Sequence, residues 1–205
     1  MRAVLTKKAS SWRNGHTMKG LRLTRLGDPL LRQVARELTA AEIKSSEIRH
    51  LITDMLATNE VKGGVGLAAP QVGVPLALAV IDIRPTRYRP DTEPYRSVVI
   101  NPRFTGVGQR VRTWEGCLSA GSGSNVLFGQ TLRYKRIQAQ WLDEGGRAHD
   151  EELSGLVAHV FQHETEHLQG VLFVDRVQDT KTFMVASEYR KRILKKASLG
   201  QDNTV

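Results

Sequence analysis

Two histidines four residues apart, with a glutamate directly after the first, stand in Gln162-His163-Glu164-Thr165-Glu166-His167. On an α-helix, residues i and i+4 project one above the other, so both imidazoles can reach a single metal ion. Glu164 then sits beside the ion rather than on it, placed to take a proton from a metal-bound water. Leu156 and Val160 precede His163 at helical spacing and give the segment an apolar stripe on the histidine side. Unpartnered polar groups on such a face would be costly, which favours a metal site over two ordinary helix histidines.

H-E-x-x-H supplies two ligands, whereas a catalytic site of the zinc type takes three and keeps one position open. The 205 residues include a single cysteine, Cys117, in Trp114-Glu115-Gly116-Cys117-Leu118-Ser119. A lone cysteine forms no internal disulfide, which leaves packing, reactivity or metal binding as its role. Asp175 and Glu188, downstream of His167, are rival third ligands of the kind ordinary zinc peptidases use, while a thiolate is the softer donor. A third segment runs Gly63-Gly64-Val65-Gly66-Leu67-Ala68-Ala69-Pro70-Gln71-Val72-Gly73. It lacks the Lys-Ser or Lys-Thr pair of a phosphate-binding loop and the preceding strand of a dinucleotide fingerprint. Its glycines suit turns or a close approach of backbone to a ligand, so Gly64, Val65 and Gly66 are candidate substrate-binding residues. Gln71 adds an amide able to donate to a substrate carbonyl.

Together these segments resemble the three motifs of peptide deformylases: G-x-G-L-A-A-P-Q, E-G-C-L-S and Q-H-E-x-D-H. Here they read Gly64 to Gln71, Glu115 to Ser119 and Gln162 to His167, in the same order, and the similarity runs from about Leu26 to Arg176. The resemblance implies hydrolysis of the formyl group from N-formylmethionine of newly made polypeptides, with release of formate. It implies that Cys117, His163 and His167 hold one divalent ion. Iron(II) is the expected native metal, and zinc, nickel or cobalt are able to substitute. It also implies Glu164 as general base and acid, with Gln71 and the backbone N–H of Leu118 lining the oxyanion hole. Similar bacterial enzymes dock a basic final helix at the ribosomal exit, and Arg190, Lys191, Arg192, Lys195 and Lys196 supply that charge here.

Two departures from the family pattern stand out. Glu166 replaces the usual Asp before the second histidine, with Arg133 a candidate partner, and Ala120-Gly121-Ser122-Gly123-Ser124-Asn125 replaces the usual Val-Pro-Gly. These changes keep a second reading open, a catalytically silent, ribosome-associated relative. A zinc endopeptidase using His163, His167 and Glu188 is a third, and it leaves Cys117 and the glycine segment without a role.

With 40% apolar residues the chain can build one substantial core, expected as a single catalytic domain over 21–200. The first 20 residues read as a basic, disordered extension and 201–205 as a tail. One cysteine fits a reducing compartment and no apolar run suggests a membrane span, so a cytoplasmic setting is expected. The alternative is a mitochondrial or plastid one, if the basic extension is a transit peptide. No membrane partner and no sequence-specific nucleic acid is expected. Thr39-Ala40-Ala41-Glu42 reads as a capping box, and Ile48, Leu51, Ile52, Met55 and Leu56 predict a helix over 45–60. Strands are predicted over 76–83, 98–100, 131–142 and 148–153, with a turn at Asp143-Glu144-Gly145-Gly146 and a last helix over 182–196. The expected class is α+β: mixed and antiparallel strands packed around a central metal-binding helix, with a C-terminal helix.

Overall fold

The computed structural model describes residues 20–194; all but Gly20 of the extension expected over 1–20, the tail, and Lys195 and Lys196 lie outside the described residues. Thr39 opens helix α1 (Ala40–Ile43) with the expected capping box, in which its hydroxyl accepts from the Glu42 N–H and Glu42 accepts from the Thr39 N–H. Helix α2 (Ser46–Lys62) is capped by the Ser45 hydroxyl, which accepts from the Ile48 N–H at 3.2 Å. It buries Ile48, Leu51, Ile52 and Met55, each worth roughly 1.5–3 kcal/mol of apolar burial. Gly63, left-handed at φ 68°, ends α2 and turns the chain into the glycine segment.

Six strands form one sheet in the order β1 (Gly66–Ala68), β2 (Leu78–Ile83), β3 (Tyr95–Gly116), β4 (Leu127–Leu142) and β5 (Ala148–Ser154), with β6 (Met184–Val185) also pairing with β4. Every named pairing is antiparallel; among the described residues the one parallel contact is the isolated bridge of Arg36 to Leu76. Strand β3 is far longer than the predicted 98–100. Its pairing with β4 shifts register between Ile100 and Arg103 and again between Val107 and Arg110. Asn101, at φ 50°, and the Gly106–Gly108 stretch are absorbed as irregularities rather than ending the strand.

Helix α3 (Gly155–Leu168) carries both histidines and packs against the sheet. Ala158, Val160 and Phe161 join Ile81, Ile83, Val99, Ile137, Ala139 and Trp141 in one apolar cluster. The Gln162 side chain fixes the helix to β4, accepting from the Tyr134 N–H at 3.0 Å and donating to the Tyr134 carbonyl at 2.9 Å.

The last helix starts later than predicted. Asp179 caps a short turn over Thr180–Thr182, and β6 then takes Met184 and Val185. Helix α4 (Ala186–Tyr189) follows, and Arg190–Leu194 continues it with wider turns. Among the described residues no helix is long and apolar enough to cross a membrane.

Candidate metal centre and hydrolytic site

Three elements meet at one point: the end of β3, helix α3 and the segment between β1 and β2. Cys117 follows β3 directly, and the ligand atoms of Cys117, His163 and His167 all lie within 4.8 Å of one another. The Cys117 Sγ is 3.2 Å from the His167 Nε2. The His163 Nδ1 instead faces the Glu115 Oε2 at 2.9 Å, which leaves its Nε2 for the centre. A buried thiolate with two imidazoles suits a divalent transition ion, and the outer carboxylate on the histidine is the usual support for such a ligand. The rival third ligands are elsewhere. Asp175 pairs with Arg32 and caps its own turn, and Glu188 pairs with Arg192 at 2.6 Å.

Electrostatics fit that donor set. Burial alone would push the Cys117 thiol up, but the charges and hydrogen bonds of His167 and His163 outweigh it and hold it well below the ordinary thiol range. For His163 burial opposes the charge, yet Cys117 and Glu115 raise it well above the ordinary histidine value.

Glu164 lies beside the three ligands, buried, with its Oε2 lacking any hydrogen-bond partner. Burial pushes it up to about 7, against the pull of His163 and His167. Gly66 makes room for it: a Cβ there would stand 2.4 Å from the Glu164 Oε1. The glycine segment therefore shapes the site around the glutamate as well as facing the cleft.

Gln71 is oriented by its own backbone neighbourhood. Its Oε1 accepts from the Ala68 N–H at 2.8 Å, so its amide NH₂ must point the other way, 3.4 Å from the Cys117 Sγ and 3.3 Å from the Ser119 Oγ. Leu118 lines the same cleft, and its N–H donates to no backbone carbonyl among the described residues. The cleft encloses about 840 Å³, with Gly64, Val65, Gly66, Gln71, Cys117 and Glu164 on its walls.

A second layer, most of it not foreseen, holds these groups. Arg133 donates to both Glu115 oxygens, the Nη2 bond being 2.9 Å, and its Nη1 reaches the Glu166 Oε2 at 2.7 Å. Arg176 takes the other oxygen of Glu166 at 2.9 Å. The expected partnership of Glu166 with Arg133 is thus present, and the extra methylene is accommodated between two arginines. Glu115 is the hub that sequence reasoning missed. It accepts from Thr131, Arg133, His159 and His163; burial alone would push it up, but His159, His163 and Arg133 outweigh this and hold it well below the carboxylate range. His159, one helical turn before His163, was also missed. It lies 3.1 Å from Glu115 and 3.2 Å from the Thr113 hydroxyl. The i−4 spacing from a ligand was the available signal.

The altered loop after Ser119 is tied down at both ends. Ala120 donates to the Cys117 carbonyl at 2.9 Å, Leu127 to the Ala120 carbonyl at 2.9 Å, and Ala186 to the Val126 carbonyl at 2.8 Å. The Arg25 guanidinium donates to the carbonyls of Leu118, at 2.8 Å, and Gly121.

Residues 21–183 match the family model described as polypeptide deformylase. The chain belongs to the peptide deformylase family. A peptide deformylase of Leptospira biflexa is 38% identical over 165 residues, spanning 79% of this chain and 90% of the relative. One from Chlorobaculum parvum is 42% identical over 151 residues, 74% of this chain and 76% of the relative. Among solved structures, the Met-Ala-Ser-bound class I type b peptide deformylase of Acinetobacter baumannii superposes with a TM-score of 0.73 at 29% identity, covering 78% of this chain and all of that one. The actinonin complex of a peptide deformylase from Synechococcus elongatus gives 0.67 at 36% identity, covering 86% and 88%. As a member of the family the chain is a metal-dependent hydrolase that removes the formyl group from the N-terminal methionine of polypeptides.

Proposed function

We propose that Cys117, His163 and His167 hold one iron(II) ion, and that Glu164, Gln71 and the Leu118 N–H carry deformylation of formyl-methionyl peptides as they leave the ribosome. The observation that carries this reading is the convergence of three ligand atoms within 4.8 Å beside a buried carboxyl that has an unpartnered oxygen. A divalent ion held there supplies Lewis acidity and a water that ionises near neutrality. A thiolate donates more charge than a carboxylate would, which suits iron(II), with zinc, nickel or cobalt able to replace it.

Glu164 takes the proton of the attacking water as the oxygen bonds to the formyl carbon. The formyl oxygen then becomes negative, and the Gln71 amide and Leu118 N–H stabilise it, a donor of this kind being worth about 10²–10³ in rate. Glu164 returns the proton to the amine nitrogen as the C–N bond breaks, leaving formate and a free N-terminus. Gly64, Val65 and Gly66 lie along the cleft where peptide backbone would run.

Anaerobically purified protein given formyl-Met-Ala-Ser tests the reading by its products. Formate with intact Met-Ala-Ser is the expected result. Cleavage inside the peptide would instead indicate an endopeptidase, and no reaction would favour the silent relative.

Ribosome association rests on the basic helix over 186–194. Its Tyr189 stacks on Phe128 at 4.3 Å between ring centroids, so removing everything after Asp179 would strip a wall of the cleft. Charge exchange is the better test. Lys191→Glu with Arg192→Glu should weaken co-sedimentation with ribosomes, and native association should fade between about 50 and 200 mM salt. Co-sedimentation unchanged by the exchange, or indifferent to salt, would sink the idea.

A further inference from the structure

Some arginines of the described surface are matched with acids, while Arg22, Arg25, Arg49, Arg110 and Arg147 make no ion pair among the described residues. Arg32 pairs with Asp175, Arg36 with Glu42, Arg84 with Glu60 and Asp82, Arg96 with Asp82, Arg103 with Glu37 and Arg136 with Glu152. Five further unpaired cations gather at the cleft. Lys62, Arg87, Arg89, Arg112 and Arg190 all line the cleft, and none of them makes an ion pair among the described residues. Arg87 lies over the Tyr88 ring, and the Arg190 Nε donates to the Ala186 carbonyl, so neither contact neutralises a charge. The acids that line the same cleft, Glu115 and Glu164, are buried within it. Asp91 and Glu93 stand in the same segment as Arg89, but they do not line the cleft or pair with any of the five.

Five unmatched cations drawn from α2, the β2–β3 connection, β3 and the last helix thus line one cleft, here called its cationic ring. A polypeptide whose first residue sits beside Glu164 must leave the cleft across that ring. We propose that the ring selects substrates by charge, favouring formyl peptides with Asp or Glu a few residues after the first and disfavouring those with Lys or Arg there. This rests on the deformylase reading of the cleft and adds a substrate class to it. Opposite charges meeting in a partly enclosed, like-charged mouth gain from the summed field of all five cations, and salt screens that gain.

Formyl-Met-Ala-Ser extended by Glu-Glu, Gln-Gln or Lys-Lys gives the test, with kcat/KM read at low and high salt. The Glu-Glu peptide should exceed the Lys-Lys peptide by about tenfold near 20 mM salt and by about twofold near 300 mM. Arg89→Glu with Arg112→Glu should reverse the order, a gain for the Lys-Lys peptide that a misfolded variant could not show. Equal rates for the three peptides at low salt, or an order unmoved by the double exchange, would overturn the proposal. Fluorescence anisotropy of the same labelled peptides reads the ring without turnover. Absence of formate with charge-ordered binding would reject the deformylase reading and keep the ring.

Discussion

Replacing Glu164 with Gln should leave metal binding intact and lower turnover on formyl-methionyl peptide by about 10²–10⁴. The amide keeps the shape that Gly66 makes room for, where a Cβ would stand 2.4 Å from the Glu164 Oε1, but it cannot take a proton. Since none of the three ligand atoms belongs to Glu164, the ion content of the variant should match that of the native protein. Steady-state kinetics beside elemental analysis of the same sample checks both halves. A near-native rate would remove Glu164 from the role of base, and loss of the ion would make it a ligand.

Cys117→Ser should have the opposite signature. A hydroxyl is a hard, poorly ionised donor, and the site would lose its soft charge and its contact with His167. Metal affinity should fall by more than the roughly 10–100-fold that loss of an outer partner costs, and activity should fall with it. Glu188→Ala is the control, because Glu188 pairs with Arg192 outside the ligand cluster. Metal retained by the serine variant and lost from the alanine variant would reverse the ligand assignment.

Much of the site was legible because its chemistry is local in sequence. His163, Glu164 and His167 need only one helix, and the helical period alone places two imidazoles together. Cys117 could not be chosen over Asp175 or Glu188 by pattern, since joining β3 to α3 is a long-range event; motif resemblance made that choice. Glu115 was quoted as a motif residue, yet its role as hub stayed hidden. Its partners come from β4 and α3, at positions 131, 133, 159 and 163.

The fold was read unevenly for similar reasons. Helix α2 and the β4–β5 hairpin follow from periodicity and turn chemistry, and both appear within a few residues of the expected limits. Apolar content marks only 98–100 as strand, whereas pairing along β4 carries β3 past Asn101-Pro102 and Gly106-Val107-Gly108 through two register shifts. The last helix, expected from 182, begins only at Ala186 because Met184 and Val185 pair with Phe128 and Leu127. Tertiary contact overrode local preference in both places.

The most direct test of the metal centre starts from protein stripped of metal by a chelator under anaerobic conditions. Iron(II) is added back in steps, and bound ion and formate release from formyl-Met-Ala-Ser are measured on the same samples. Formate release should rise in proportion to bound ion and level off at one ion per chain. Full activity in the stripped protein, or an ion bound at Cys117, His163 and His167 with no formate released, would contradict the assignment of these residues to deformylation.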